Sequence, residues 1–159
     1  MERQDFISLL SPEGQALLAQ VGPLEAKADV VKLVSSLRAQ GHDAGLVAAV
    51  LTQAKLRRRA VAKFGPFAER MIFTEAGLEQ ASRLSVAALH ANRFRQAGIG
   101  EVADLGCGIG AESMALASLD INVKAFEIDE VTAAVATYNL SPFENAFVEQ
   151  TDVTTLDLS

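Results

Sequence analysis

Asp104-Leu105-Gly106-Cys107-Gly108-Ile109-Gly110 follows a short apolar run and precedes a helical one. A strand, a glycine turn and a helix N-terminus together make a nucleotide-binding corner. Glycines there let the backbone approach a ligand and turn through dihedrals that a Cβ forbids. Asp104, two residues ahead of the first glycine, narrows the ligand chemistry. A carboxylate in that place repels a pyrophosphate. It tolerates a cofactor that carries an amino group and no phosphate. A bare turn between strand and helix needs neither the three alternate glycines nor the leading acid.

S-adenosylmethionine (SAM) has that chemistry, with its cationic sulfonium, α-amino group, ribose and adenine. The stretch Glu101–Gly110 resembles motif I of the class I SAM-dependent methyltransferases. The resemblance implies that Asp104 sits beside the methionine end and that Gly106, Gly108 and Gly110 admit the cofactor. Cys107 then supplies a small side chain and a backbone N–H beside it. Asn122–Glu127 reads as a second strand ending in an acid. By the same resemblance Glu127 accepts the two ribose hydroxyls and Ile128 packs on the adenine ring. Asp129 shares a strand face with Glu127, but it is better placed to cap the helix Glu130–Asn139. Ala146–Gln150 reads as strand three, followed by Thr151-Asp152-Val153. The resemblance places Asp152, with Val153 beside it, at the adenine amino group; read alone, Asp152 is a loop acid.

A nicotinamide or flavin domain competes, because Gly106-x-Gly108-x-x-Ala111 formally satisfies the dinucleotide fingerprint and Glu127 lies at a workable distance. Asp104 argues against it by charge. So does Glu112, a second acid on the helix turn that would have to receive the pyrophosphate.

Half of the 159 residues are hydrophobic, enough to bury a core. One cysteine excludes a disulfide framework, and no Cys/His cluster has metal-ligand spacing. Cys107 has no histidine near it in sequence, which makes a nucleophilic role a poor reading. Glu2, Arg3 and Asp5 open the chain without an apolar signal segment, and the run Leu46–Leu51 is far too short to span a membrane. A reducing, cytoplasmic setting is the default expectation. Charge is divided unevenly. Residues 1–100 hold 13 basic against 9 acidic side chains, and residues 101–159 hold 1 against 11. The acidic half suits a cationic ligand and leaves the N-terminal half to any anionic partner.

The first hundred residues read as helices. Ser11-Pro12-Glu13 caps and opens one that stops at Gly22-Pro23. A second runs from about Glu25 to Gln40, with Val30, Val31, Leu33, Val34 and Leu37 as an apolar stripe. Asp43 caps a long third helix ending at Gly65-Pro66, and Thr74 caps a fourth reaching about Ala97. On the third helix Lys55, Arg59 and Lys63 lie four residues apart on one face, extended by Arg57 and Arg58. Such a stripe either tracks a phosphate backbone or is a solvated face. Lys55, Arg58, Arg59 and Lys63 are the candidates for contact with nucleic acid. His42 and His90 have no sequence-adjacent acid or nucleophile suggesting catalysis.

Lys63–Ser82 resembles the segment before motif I in bacterial methyltransferases with a THUMP-like region, distantly similar to trimethylguanosine synthases. That resemblance implies a segment lying over the cofactor and substrate mouth, with Thr74 carried over beside its plainer role as a helix cap. It also favours RNA as the substrate. Only three strands are readable, and nothing matches a catalytic motif at the end of a fourth, so no residue is nominated as catalytic. The expectation is a helical domain over residues 1–65 and a SAM-binding, Rossmann-like α/β domain over 66–159, its parallel sheet incomplete. By this reading the chain is part of a longer RNA-directed methyltransferase and is inactive alone. The alternative is a non-catalytic module that holds SAM or a partner protein. The edge of the Val102–Leu105 strand, lacking its neighbour, is expected to promote self-association.

Overall fold

The computed structural model describes residues 1–22 and 27–155, without the side chains of residues 27–29. The expected helix start near Glu25 and the last residues, 156–159, lie outside the described residues. Four helices come first: α1 (Arg3–Leu10), α2 (Pro12–Val21), α3 (Lys27–Ala39) and α4 (Ala44–Phe64). Ser11 ends α1 and caps α2, its hydroxyl accepting the Gly14 N–H at 3.0 Å. Asp43 caps α4 through the Leu46 N–H. Leu9, Leu17, Leu18, Leu37, Leu46, Val47 and Val50 form one apolar core among these helices. The second half of α4 leaves that core and enters another. Leu56, Ala60 and Phe64 pack with Met71, Ile72 and Phe73 and with the α/β region beyond. At 21 residues α4 is about 30 Å long, enough to serve both cores.

A 3-10 turn (Gly65–Glu69) leads to an extended strap, Met71–Thr74, every residue of which is buried. The single helix expected from Thr74 to about Ala97 is instead two, α5 (Glu75–Gln80) and α6 (Leu84–Gln96). Ala81 and Arg83 between them are extended, with ψ of 138° and 137°. The break has no glycine or proline. It coincides with the Lys63 ammonium, which takes the Leu78, Glu79 and Ala81 carbonyls that a continuing helix would use.

The α/β region then alternates: β1 (Glu101–Leu105), α7 (Ala111–Ala117), β2 (Asn122–Glu127), α8 (Glu130–Leu140) and β3 (Ala146–Gln150), closed by a 3-10 turn at Val153–Thr155. The three strands are parallel in the order β1-β2-β3, with Asp104 opposite Ala125 and Glu127 opposite Gln150. This is a Rossmann-like arrangement behind a helical N-terminal region. Val123 and Ala125 are buried on the face where α7 and α8 pack. On the other face Lys124 is exposed and Phe147 is 69% exposed. Among the described residues β1 pairs only with β2, so one of its edges is open. No described helix is long and apolar enough to cross a membrane.

Candidate functional site

The glycine loop leaves β1 through three left-handed residues, Gly106 (φ +90°), Gly108 (+56°) and Gly110 (+91°). Only glycine takes these conformations without strain. At Gly106 and Gly108 the space a Cβ would fill is open, so the backbone itself borders the cleft. Gly110 has a different task. It starts α7 and lies against Leu140, 3.3 Å from where its Cβ would stand.

Two carboxylates frame the loop. Glu127, at the end of β2, accepts the Gly108 N–H at 3.0 Å with one oxygen and the Asp129 N–H at 3.0 Å with the other. Each oxygen keeps a second lone pair for a further donor. Asp104, at the end of β1, accepts the Ser113 hydroxyl at 2.6 Å. Burial raises its pKa from the ordinary carboxylate value; the Ser113 bond opposes the rise, and Glu112 and Glu127 add to it. Burial also pushes the Cys107 thiol up to about 12, with Asp104 and Glu127 adding to the rise. A thiol held protonated in this way is not a nucleophile.

The loop forms one wall of a cleft of about 330 Å³. Asp104, Gly106, Cys107, Gly108 and Glu127 line it together, joined by Glu112 and Asp129. The opposite wall is α5 and its exit: Ala76, Gly77 and Gln80–Ser82. Among the described residues no lysine or arginine lines this cleft. Among the described residues no cluster of three or more His, Cys, Asp or Glu side chains could hold a metal.

Other expected residues stand elsewhere. Ile128 is 63% exposed and outside the cleft lining. Asp152 folds onto its own turn, accepting the Thr154 N–H at 2.9 Å and its hydroxyl at 2.7 Å, and neither it nor Val153 lines the cleft. Thr74 is 8% exposed and caps α5 through the Gly77 N–H, so its hydroxyl serves the helix rather than the cleft. Asp129 caps α8 through the Thr132 N–H at 2.8 Å. In the basic stripe, Arg59 pairs with Glu75 and Glu79 of α5, and Lys63 holds the Leu78 and Glu79 carbonyls of α5 and the Ala81 carbonyl just beyond it. Arg57 is half-buried and donates to the Met71 carbonyl, and Arg58 is also engaged. His90 meets Glu112 at 3.2 Å and His42 meets Glu13 at 2.6 Å.

Sequence reasoning passed over the residues that place the α5 wall. Gln53 takes both the N–H and the carbonyl of Phe73, at 3.0 and 2.7 Å. Asn139 takes the Ile72 N–H at 2.8 Å and donates to the Ile72 and Ile109 carbonyls at 3.0 Å. Gly77 lets α5 touch the glycine loop, since a Cβ there would stand 2.3 Å from Ile109 Cγ2. The signals were present: a buried amide in each of two apolar helix faces, and a glycine inside a helix, which marks close packing.

Residues 2–60 match a domain family of unknown function, DUF8688. No curated protein matches the chain. Among solved structures, that of EvdMO1 is 24% identical, over 65% of this chain and 25% of that one, with a TM-score of 0.42. Coclaurine N-methyltransferase bound to N-methylheliamine and SAH is 16% identical, over 99% of this chain and 52% of that one, with a TM-score of 0.41. The chain thus spans about a quarter and about half of the lengths of these two proteins. Residues 67–157, which hold the strap, the glycine loop and all three strands, match the Methyltransferase small domain, and the chain belongs to that family.

Proposed function

We propose that residues 66–159 form the cofactor domain of a SAM-dependent methyltransferase and that residues 1–65 are its helical partner domain. One observation carries the reading: among the described residues, the cleft beside the glycine loop is lined by four acids and no base. Pyrophosphate would meet Asp104, Glu112, Glu127 and Asp129 without a counter-charge. A sulfonium and an α-amino group are cations, and ribose hydroxyls are donors, so all three suit carboxylates. In this reading Asp104 holds the amino-acid end, and the free lone pairs of Glu127 accept the ribose. Bound SAM supplies a methyl group already activated by the cationic sulfur. What the chain contributes is alignment and exclusion of water: the left-handed glycines open the backbone to the ligand, and α5 closes the side facing them.

For the acceptor we propose RNA, in the manner of the THUMP-like and trimethylguanosine-synthase-like enzymes that the segment before the loop resembles. Support comes from that resemblance and from the basic excess of the N-terminal half. Arg59 and Lys63 are occupied by α5, which leaves Lys55 as the stripe's more open member.

The test is calorimetric titration of SAH and, separately, of NAD into the protein, repeated with Asp104→Ala and Glu127→Ala. Binding of SAH that each substitution weakens at least tenfold is expected. Binding of NAD, or SAH binding indifferent to both acids, would overturn the cofactor reading. Failure of the protein to bind RNA in a parallel titration would overturn the acceptor.

A further inference from the structure

The α5 wall of the cleft has little to hold it within its own sequence. It is six residues long, well below the length at which a helix persists alone. Its carbonyl end breaks off at Gln80, where Leu78 and Glu79 would be left without partners. Helix α4, whose last turn lies beyond the region matched to a family of unknown function, supports the strap and α5 at four successive points. Gln53 grips Phe73, Arg57 holds the Met71 carbonyl, and Arg59 reaches Glu75 and Glu79. Lys63 ends the series, its ammonium 2.8 Å from each of the Leu78, Glu79 and Ala81 carbonyls. An ammonium has three donors, and here each has an acceptor.

The consequence lies in where the chain goes next. With the α5 carbonyls taken, the backbone turns extended at Ala81, and Gln80, Ala81 and Ser82 are delivered into the cleft wall. On the same wall, Gly77 rests on Ile109 of the glycine loop. The distance between the two walls is therefore set in part from α4, alongside Asn139 of α8, which bonds both the strap and the loop.

We propose that the helical region is a brace for the cofactor cleft and that Lys63 is its positioning residue. Lys63 is not among the residues that line the cleft; it stops α5 where the cleft needs a wall and thereby sets the affinity of whatever the cleft holds. This rests on the SAM reading for the identity of the ligand but not for the brace itself.

Two measurements on the full chain separate those parts. The first is amide hydrogen exchange of the wild type and of Lys63→Met. Faster exchange confined to residues 76–83 and 106–110, with the α1–α2–α4 core unchanged, is expected; a rise spread over the whole chain, or none in those segments, would overturn the brace. The second is the Kd for SAH, measured where both proteins are fully folded. Lys63→Met should weaken SAH at least tenfold. Lys63→Arg, which still offers N–H donors to the carbonyls, should stay within about threefold of wild type. An unchanged Kd in Lys63→Met despite local exchange would overturn the role in affinity. Failure of the wild type to bind SAH would overturn the cofactor reading, and the exchange experiment would still decide the brace.

Discussion

The two walls of the cleft are held in place by opposite means. The glycine loop is local: its shape follows from three left-handed glycines within five residues, and its acids come from the strand ends on either side. The strap and α5 are held from a distance. Gln53 is 20 residues from Phe73, Lys63 is 15 to 18 from the carbonyls it takes, and Asn139 is 67 from Ile72. One wall is determined by dihedral freedom and the other by buried amides and an ammonium. A local wall tolerates loss of its neighbours, whereas a wall held from outside fails when one distant side chain is removed.

The largest effect is expected at Asn139, because it joins the two walls. Its amide serves the Ile72 N–H and carbonyl from the strap and the Ile109 carbonyl from the loop. Asn139→Leu leaves three buried backbone groups without a partner, each costing about 1–3 kcal/mol. A loss of about 3 kcal/mol or more in urea denaturation is expected. Gln53→Leu strips only Phe73, two groups, and should cost about 2 kcal/mol or more by the same reasoning. An Asn139 variant no less stable than the Gln53 variant would break the comparison, since the strap would then hang from α4 alone.

Gly77→Ala sharpens it. Alanine favours a helix over glycine by about 1 kcal/mol. Its methyl, however, would lie 2.3 Å from Ile109 Cγ2 and 2.6 Å from Thr74 Oγ1. Neither neighbour yields readily: Ile109 is β-branched and stiff at χ1, and Thr74 is bonded to the Gly77 N–H as the cap. Overpacking of this kind costs about 1–3 kcal/mol, so the net change is a destabilisation of about 1 kcal/mol with weaker SAH binding. Combined with Ile109→Ala, the two losses should add to less than their sum, because the clash is removed. Strict additivity in this double-mutant cycle would show that α5 does not rest on the loop.

The same division decides what could be read from the chain. Gly106, Gly108 and Gly110 were legible because a left-handed turn leaves almost no other choice of residue. The strands and their order of appearance followed from apolar runs between turn signals. The capping roles of Ser11, Asp43, Thr74 and Asp129 were legible because each is satisfied within three residues. The break at Ala81–Arg83 was not, because its cause is Lys63 on another helix. In the stripe at residues 55–63, periodicity grouped charges that tertiary structure divides between an ion pair and a helix end. Asp152 has a local engagement that spacing does not reveal: Thr154 takes its carboxylate into a turn.

The smallest expected change in stability is at Asp104, and its sign is the informative part. Burial raises the pKa of this carboxyl above its unfolded value. The folded state therefore favours the protonated form, and ionisation weakens the fold as pH rises through the carboxylate range. The penalty is fully present above the folded pKa and vanishes below the unfolded one. Asparagine keeps an acceptor for the Ser113 hydroxyl and carries no charge. Asp104→Asn should therefore raise Tm at pH 7, and the gain should shrink as the pH is lowered towards 3. Under the cofactor reading, the same variant loses SAH binding. A group that costs the fold stability where it also confers binding belongs to the ligand rather than to the architecture, which sets Asp104 apart from Asn139 and Gln53. A Tm at pH 7 below that of the wild type would place Asp104 with those structural amides and leave Glu127 as the only ligand-directed acid of the pair.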